Sequence, residues 1–211
     1  MLKLYSAQIC PFAQRTRALL VHLDIPFELY EIDLHDRDPE FLALSPTGRV
    51  PMLIDNGFRL YESQVINEYL AEAHGWTTAL ADDTRLRARQ RLAMKQWDDI
   101  VVDAFYDSMR AGGTIDPERR GRIGRELDQL EATVGADEGS VETLLAFHCA
   151  PHWARMDWLR SVTSLAELID ERPALRAWMQ QTLEIKALRD TLPEREHAVA
   201  RYEERYAAAK P

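Results

Sequence analysis

The chain has 211 residues, 46% of them hydrophobic and 29% charged, with a formal net charge of -9. That is the profile of an ordinary globular protein, long enough to bury a core without disulfides or structural metals. So acidic a chain repels phosphate backbones and anionic lipid, which argues against nucleic acid and membrane surfaces as partners.

No apolar run approaches the ~20 residues of a membrane span, and residues 1–6 read as a strand rather than a secretory signal. The two cysteines, Cys10 and Cys149, favour a reducing, cytoplasmic setting over a disulfide scaffold. Leu2 to Ser6 alternates as a first strand. Phe12, Thr16, Leu19, Leu20 and Leu23 then recur at helical spacing. After Pro26, Phe27 to Ile32 alternates as a second strand. Asp38-Pro39-Glu40 opens a short helix, with Asp as N-cap and Pro at the first helical position, and Ser45-Pro46 and Gly48 end it. Val50 to Ile54 and Phe58 to Tyr61 form a hairpin through Asp55-Asn56-Gly57, since Asn-Gly supplies the positive φ that a tight turn needs. Ser63 caps a helix whose inner face is Ile66, Tyr69, Leu70 and Ala73, closed by Gly75.

Residues 1–76 thus read as a compact α/β unit, a mixed sheet with helices on it. Residues 77–83 lack a period and read as a linker, and 84–211 hold no convincing strand. Leu86, Ala93, Trp97, Ile100 and Ala104 mark a long helix. Within it, Arg85, Arg87, Arg89 and Arg91 spread over the surface as a solvated face. Asp116-Pro117 opens a helix with Ile123, Leu127, Leu130 and Val134 inward and Gly135 at its end. Further helices start at Ser140 and Pro173, and Glu194 to Lys210 is a helix-prone tail.

The chemistry is read from three places. Cys10 precedes Pro11 at a strand-to-helix junction, where unpaired N–H groups and the helix dipole favour a thiolate; Arg15 and Arg17 add positive potential. The competing reading is a small buried apolar residue. The residue three beyond Cys10 is Ala13, not a second cysteine, so a reactive thiol here needs an external thiol to resolve it, and glutathione is the abundant candidate. Val50-Pro51 opens a strand, where a cis proline would turn the preceding backbone toward an extended ligand, or where a proline simply starts a strand. Glu62-Ser63, at another strand-to-helix junction, can receive an ammonium and a carboxylate, or Ser63 merely caps its helix.

In this order and at these separations, Cys10-Pro11-Phe12-Ala13-Gln14-Arg15, Val50-Pro51 and Glu62-Ser63, followed by a linker and a helical region, resemble the glutathione transferase superfamily over the whole chain. The Cys-Pro-Phe-Ala segment resembles the omega class and its cysteine-bearing relatives, such as plant dehydroascorbate reductases and intracellular chloride-channel-like proteins. The resemblance implies a thioredoxin-like glutathione-binding domain, an all-helical domain supplying the second-substrate pocket, and a homodimer. Carried over by residue, Cys10 would form a mixed disulfide with glutathione, Phe12 would line its surroundings, and Val50 with Pro51 would hold the glutathione backbone. Glu62 and Ser63 would bind the γ-glutamyl end. Leu34 and Arg37 stand where omega enzymes have a leucine and a lysine near glutathione, although Arg for Lys keeps the charge without the geometry. One departure is Ser140-Val141-Glu142-Thr143, where the family has a Ser/Thr-x-x-Asp capping box. His148, Cys149 and His152 fall short of a zinc ligand set, so no metal is expected and Cys149 reads as core.

The expected reaction is glutathione-dependent thiol transfer, with dehydroascorbate reduction by the same thiol. Alternatives are conjugation to electrophiles, with Tyr5 or Ser6 as the hydroxyl, a dehalogenase or isomerase, and a non-catalytic regulatory binding protein. The second substrate is expected against the tail and the helix carrying Trp97, Tyr106 and Met109, residue types that also pack cores.

Overall fold

A computed structural model describes residues 1–137 and 140–206. Strands β1 (Leu2–Ser6), β2 (Phe27–Glu31), β3 (Met52–Asp55) and β4 (Phe58–Tyr61) form one sheet in the order β2-β1-β3-β4. β1 and β2 are parallel, with Leu4 opposite Leu29, while β3 runs antiparallel to both β1 and β4. Parallel β1 and β2 need a crossover, and α1 (Pro11–His22) provides it. The hairpin turns where Asn-Gly predicts, with Asn56 at φ 47° and Gly57 at φ 91°.

Strand alternation decides which face packs where. Leu2, Leu4 and Leu53 point to the side covered by α1 and α3 (Ser63–Ala73), and Tyr5 and Met52 point to the other side, against Phe41 of α2 (Pro39–Leu44). Asp38 caps α2 by accepting the Glu40 N–H at 2.7 Å. The arrangement is thioredoxin-like.

From Thr84 onward the described chain is helical: α4 (Thr84–Gln96), a π-helical turn (Trp97–Val102), α5 (Asp103–Arg110), α6 (Pro117–Gly135), α7 (Leu144–Trp158), α8 (Leu165–Asp170), α9 (Pro173–Glu184), α10 (Lys186–Asp190) and α11 (Arg195–Tyr206). Its centre is α7, buried continuously from Leu144 to Met156 and packed on α1, so one apolar core runs through both regions.

Several expectations need correction. Ser63 is the first residue of α3 rather than its cap. The cap position is Glu62, at φ 69° and without a side-chain cap bond, because the Ser63 hydroxyl accepts from Arg15 instead. On the same helix Ala73 is exposed, and Asn67 and Ala71 take the inward places, while Tyr69 is half-buried with its hydroxyl donating to Asp55 at 2.6 Å. No helix starts at Ser140. The cap of α7 is Thr143, which accepts the Ala146 N–H at 3.4 Å, and with Ala146 at the third position the acidic half of a capping box is missing. The long helix of 84–110 contains a π turn that apolar periodicity does not reveal. The short helices α8 and α10 were unforeseen. Of the tail, residues 207–210 lie outside the described residues. Among the described residues no helix is long and apolar enough to cross a membrane.

Candidate functional site

Cys10 ends the loop after β1 and stands at the N-cap of α1, with Pro11 as the first helical residue. Its N–H is spent on Ala7 O at 3.0 Å, and its side chain makes no cap bond to the helix. The thiol is half-buried at the edge of a cavity of about 350 Å³ between the end of β2, α5 and α11. Burial pushes the Cys10 thiol up. The Ala13 and Phe12 amides, then the Arg155 and Arg17 guanidinium groups, pull it back, and burial prevails. The helix terminus does favour the thiolate, as expected, but it is outweighed. Alkylation of the free protein by iodoacetamide should therefore keep accelerating as pH rises from 7 to 9, without the plateau that a depressed thiol would reach; stopped-time mass spectrometry of Cys10 measures it.

The two arginines of α1 do different work. Arg17 donates to Ser6 Oγ at 2.6 Å, Ala7 O at 2.8 Å and Gln8 O at 3.0 Å, which ties down the loop that carries Cys10. Burial lowers its pKa to about 10. Arg15 points away from the thiol and is fully buried. It donates to both carboxylate oxygens of Asp98, at 3.0 and 2.6 Å, to the His148 carbonyl at 2.8 Å and to Ser63 Oγ at 3.3 Å. A fork of this kind matches guanidinium to carboxylate geometry. Burial pushes the Asp98 carboxyl up, but Arg15 and then His148 hold it well below the usual carboxylate range. His148 Nε2 lies 3.2 Å from Asp98 Oδ1, and His152 Nδ1 lies 3.1 Å from Arg15 Nη2. Burial lowers both histidines, which keeps them neutral. The histidine pair thus surrounds an ion pair that joins the two regions. Cys149 beside it is fully buried, with its thiol pushed far up by burial.

The other expected residues fall in different places. Leu34 lines the Cys10 cavity. Phe12 sits edge-on to His152 at 4.5 Å and under the Arg15 guanidinium at 4.8 Å. Val50 is buried, and the Val50-Pro51 peptide bond is cis. Glu62 is exposed and Ser63 buried at the start of α3. Arg37 is exposed on the loop between β2 and α2 and does not line the cavity. Tyr5 is stacked between Tyr30 and Phe41 at 4.7 and 5.7 Å, and Ser6 is fully buried with its hydroxyl accepting from Arg17. Neither hydroxyl reaches the cavity. Of the three side chains expected against a second substrate, Tyr106 lines the cavity while Trp97 and Met109 are core.

Sequence reasoning passed over Asp98 and Arg155; it expected the tail against a second substrate without naming His197, Arg201, Tyr202 and Arg205, the side chains of α11 that line the cavity. Arg155 is fully buried in α7; it donates to Gln14 Oε1 and, at 3.0 Å, to the Pro151 carbonyl. Its spacing from Cys10 carries no signal, because the two meet only through packing of α7 on α1.

The family model described as "Glutathione S-transferase, N-terminal domain" matches residues 4–78. A probable glutathione transferase of Aplysia californica is 36% identical over 83 residues, covering 39% of this chain and 90% of that protein. Mouse glutathione S-transferase omega-1 is 29% identical over 188 residues, covering 84% of this chain and 75% of its own length. Among solved structures, glutathione transferase Omega 2C of Trametes versicolor superposes with a TM-score of 0.79 at 19% identity, covering 98% of both chains. A cysteine at a strand-to-helix junction, a cis Val-Pro and a Glu-Ser helix start on a thioredoxin-like sheet, together with these matches, establish that the chain belongs to the glutathione S-transferase superfamily and is omega-like.

Proposed function

We propose that the protein is a glutathione-dependent thiol transferase working through a mixed disulfide on Cys10. The observation that carries this reading is that Cys10 alone of the candidate nucleophiles borders the cavity, while Tyr5 and Ser6 are turned into the core. In the first step the Cys10 thiolate attacks the glutathionyl sulfur of a mixed disulfide GS–S–R. The Cys10–SG bond forms, the S–S bond between the glutathionyl sulfur and the SR sulfur breaks, and RS⁻ leaves with the electron pair and takes a proton from solvent. In the second step a glutathione thiolate attacks Cys10–SG, giving glutathione disulfide and the free Cys10 thiolate. Cys149 is too buried to resolve the adduct internally, so the external thiol is required.

The raised Cys10 pKa is compatible with this chemistry, because a thiolate of higher pKa is scarcer but intrinsically more nucleophilic. The Phe12 and Ala13 amides lie where negative charge on sulfur persists. On the glutathione side, Ser63 and Glu62 receive the γ-glutamyl carboxylate and ammonium, Val50 pairs with the tripeptide backbone, and Phe12 and Leu34 flank the sulfur. Arg15 orients the Ser63 hydroxyl by donating to it, which frees the hydroxyl proton for the incoming carboxylate. Arg37 is a weaker member of the set, since it is exposed on the loop between β2 and α2 and an arginine does not reproduce a lysine's geometry. The same reading makes the protein cytoplasmic, and a homodimer that covers the exposed Phe58, Tyr61, Val65 and Leu92.

Two measurements test it. Initial rates with glutathione and a small mixed disulfide should give the parallel lines of a ping-pong mechanism. Ser63→Ala should raise KM for glutathione about tenfold, the loss of one charge-assisted hydrogen bond, with kcat within about twofold. Intact glutathione binding without turnover of any disulfide would point instead to a non-catalytic binding protein.

A further inference from the structure

The cavity beside Cys10 has walls of opposite character. The wall at the end of β2 carries Glu31 and Asp33, and both acids are already engaged. Glu31 accepts the Gln8 N–H at 2.5 Å, and Asp33 accepts the N–H groups of His35 and Asp36 at 2.8 and 3.4 Å. The opposite wall is α11, which presents His197, Arg201 and Arg205. These three are four residues apart, so they form one stripe along the helix. Each lies at the exposed rim, while Ala198 and Tyr202 bury the inward face.

The stripe has donors to spare. A guanidinium carries five N–H groups. Arg201 meets Glu204 at 3.5 Å, a pair between exposed side chains, and lies within electrostatic reach of Asp33. Arg205 contacts the Tyr206 ring at 5.7 Å and has no ion pair among the described residues. Beneath the floor lies a second, independent cation. Arg155 is fully buried, the Tyr106 and Tyr202 phenols of the cavity face it, and its Nε and Nη2 have no hydrogen-bond partner of good geometry among the described residues. In a chain with a net charge of -9, the cationic groups beside Cys10 are thus gathered on one side of the cavity, with Arg201 and Arg205 on α11 facing the carboxylates of Glu31 and Asp33 across it, so an anion is favoured locally at the α11 wall.

We propose that the second-substrate cavity selects an anionic partner, a mixed disulfide of glutathione whose other half is a thiol carrying a carboxylate, with Arg201 and Arg205 receiving that carboxylate. The proposal rests on the thiol-transfer reading of the same site. A short apolar arm passes Ile9, Leu34 and Pro193 between the sulfur and the acid. The chemistry is that given above: Cys10–SG forms, the carboxylate-bearing thiolate leaves, and glutathione supplies the reducing equivalents. Arg201 and Arg205 contact only the far end of the leaving half, so they determine specificity and take no part in the sulfur exchange.

The test uses three unreactive thioethers, S-(2-carboxyethyl)-, S-(2-hydroxyethyl)- and S-(2-aminoethyl)glutathione, titrated calorimetrically into the full chain. The carboxyethyl compound should bind about fivefold tighter than the hydroxyethyl one, the gain expected of two solvent-screened charges, and the aminoethyl compound should bind weakest. In the double variant R201Q/R205Q the carboxyethyl-to-hydroxyethyl ratio should fall to about one. Equal affinities or the reverse order in the native protein would overturn the proposal and leave the glutathione reading standing. If neither glutathione nor any thioether binds, the glutathione reading fails instead, and 3-phenylpropionate against 3-phenylpropylamine then decides the anion site alone. A preference for the acid that vanishes in the double variant sustains it, and no preference overturns it.

Discussion

Cys10→Ser is expected to reduce glutathione-dependent disulfide reduction to the uncatalysed background while leaving glutathione affinity within about twofold. The expectation is this severe because disulfide exchange needs a sulfur nucleophile that can also become half of a disulfide. A serine hydroxyl at the same place, facing the same Phe12 and Ala13 amides, can do neither. No neighbouring group offers a substitute. Cys149 is fully buried, and Tyr5 and Ser6 are held by ring stacking and by Arg17. Stability should change little, since Cys10 makes no side-chain cap bond to its helix. A variant that melts normally, binds glutathione and turns over nothing is the expected phenotype, read by coupled kinetics and a thermal scan on the same preparation.

The largest structural effect is expected from Asp98→Ala. Arg15 is fully buried, and Asp98 is the carboxylate within its ion-pair reach, the Asp98 side chain being 30% exposed. Removing the anion leaves a desolvated guanidinium with only neutral partners, Ser63 Oγ, the His148 carbonyl and His152. Breaking a buried pair from one side costs about 3–5 kcal/mol, and the partial exposure of Asp98 places this case near 3. For a chain of this size the melting temperature should fall by about 6–12 °C.

Asp98→Asn, which keeps a hydrogen-bond acceptor, should cost less. The pH dependence follows from the depressed Asp98 carboxyl. Its contribution is complete above the unfolded-state value of about 3.9, and it is lost as pH falls from there through the lower folded-state value. The stability difference between the native protein and Asp98→Asn should thus be constant from pH 7 to about 5 and narrow below about 4. Because Arg15 also orients Ser63, KM for glutathione should rise in both variants.

The α/β unit was legible because its signals are local. Alternation in Leu2–Ser6, the Asn56-Gly57 turn, Asp38-Pro39 at a helix start and Gly75 past a helix end each fix backbone within a few residues. Cys10, Val50-Pro51 and Glu62-Ser63 were legible for the same reason, being junctions between adjacent elements. What the sequence hid depends on contacts between distant segments. Arg15 and Asp98 are 83 residues apart, and Asp98 is aimed by a π turn that shifts the helix out of the 3.6-residue period on which a sequence reading relies. Ser63 reads as a cap because serine usually is one, and only the buried Arg15 beside it redirects the hydroxyl. The surroundings of Cys10 divide in the same way: the helix terminus that favours the thiolate is visible in sequence, whereas the burial that opposes it is created by packing.

The central claim is that Cys10 carries the glutathionyl group. It is tested most directly by treating the native protein with a single equivalent of glutathione disulfide and locating the adduct by peptide mass spectrometry. A glutathionyl group on Cys10 alone, released by added glutathione at the steady-state rate of turnover, is the predicted result. Turnover without an adduct on Cys10, or an adduct that glutathione does not release, would contradict it.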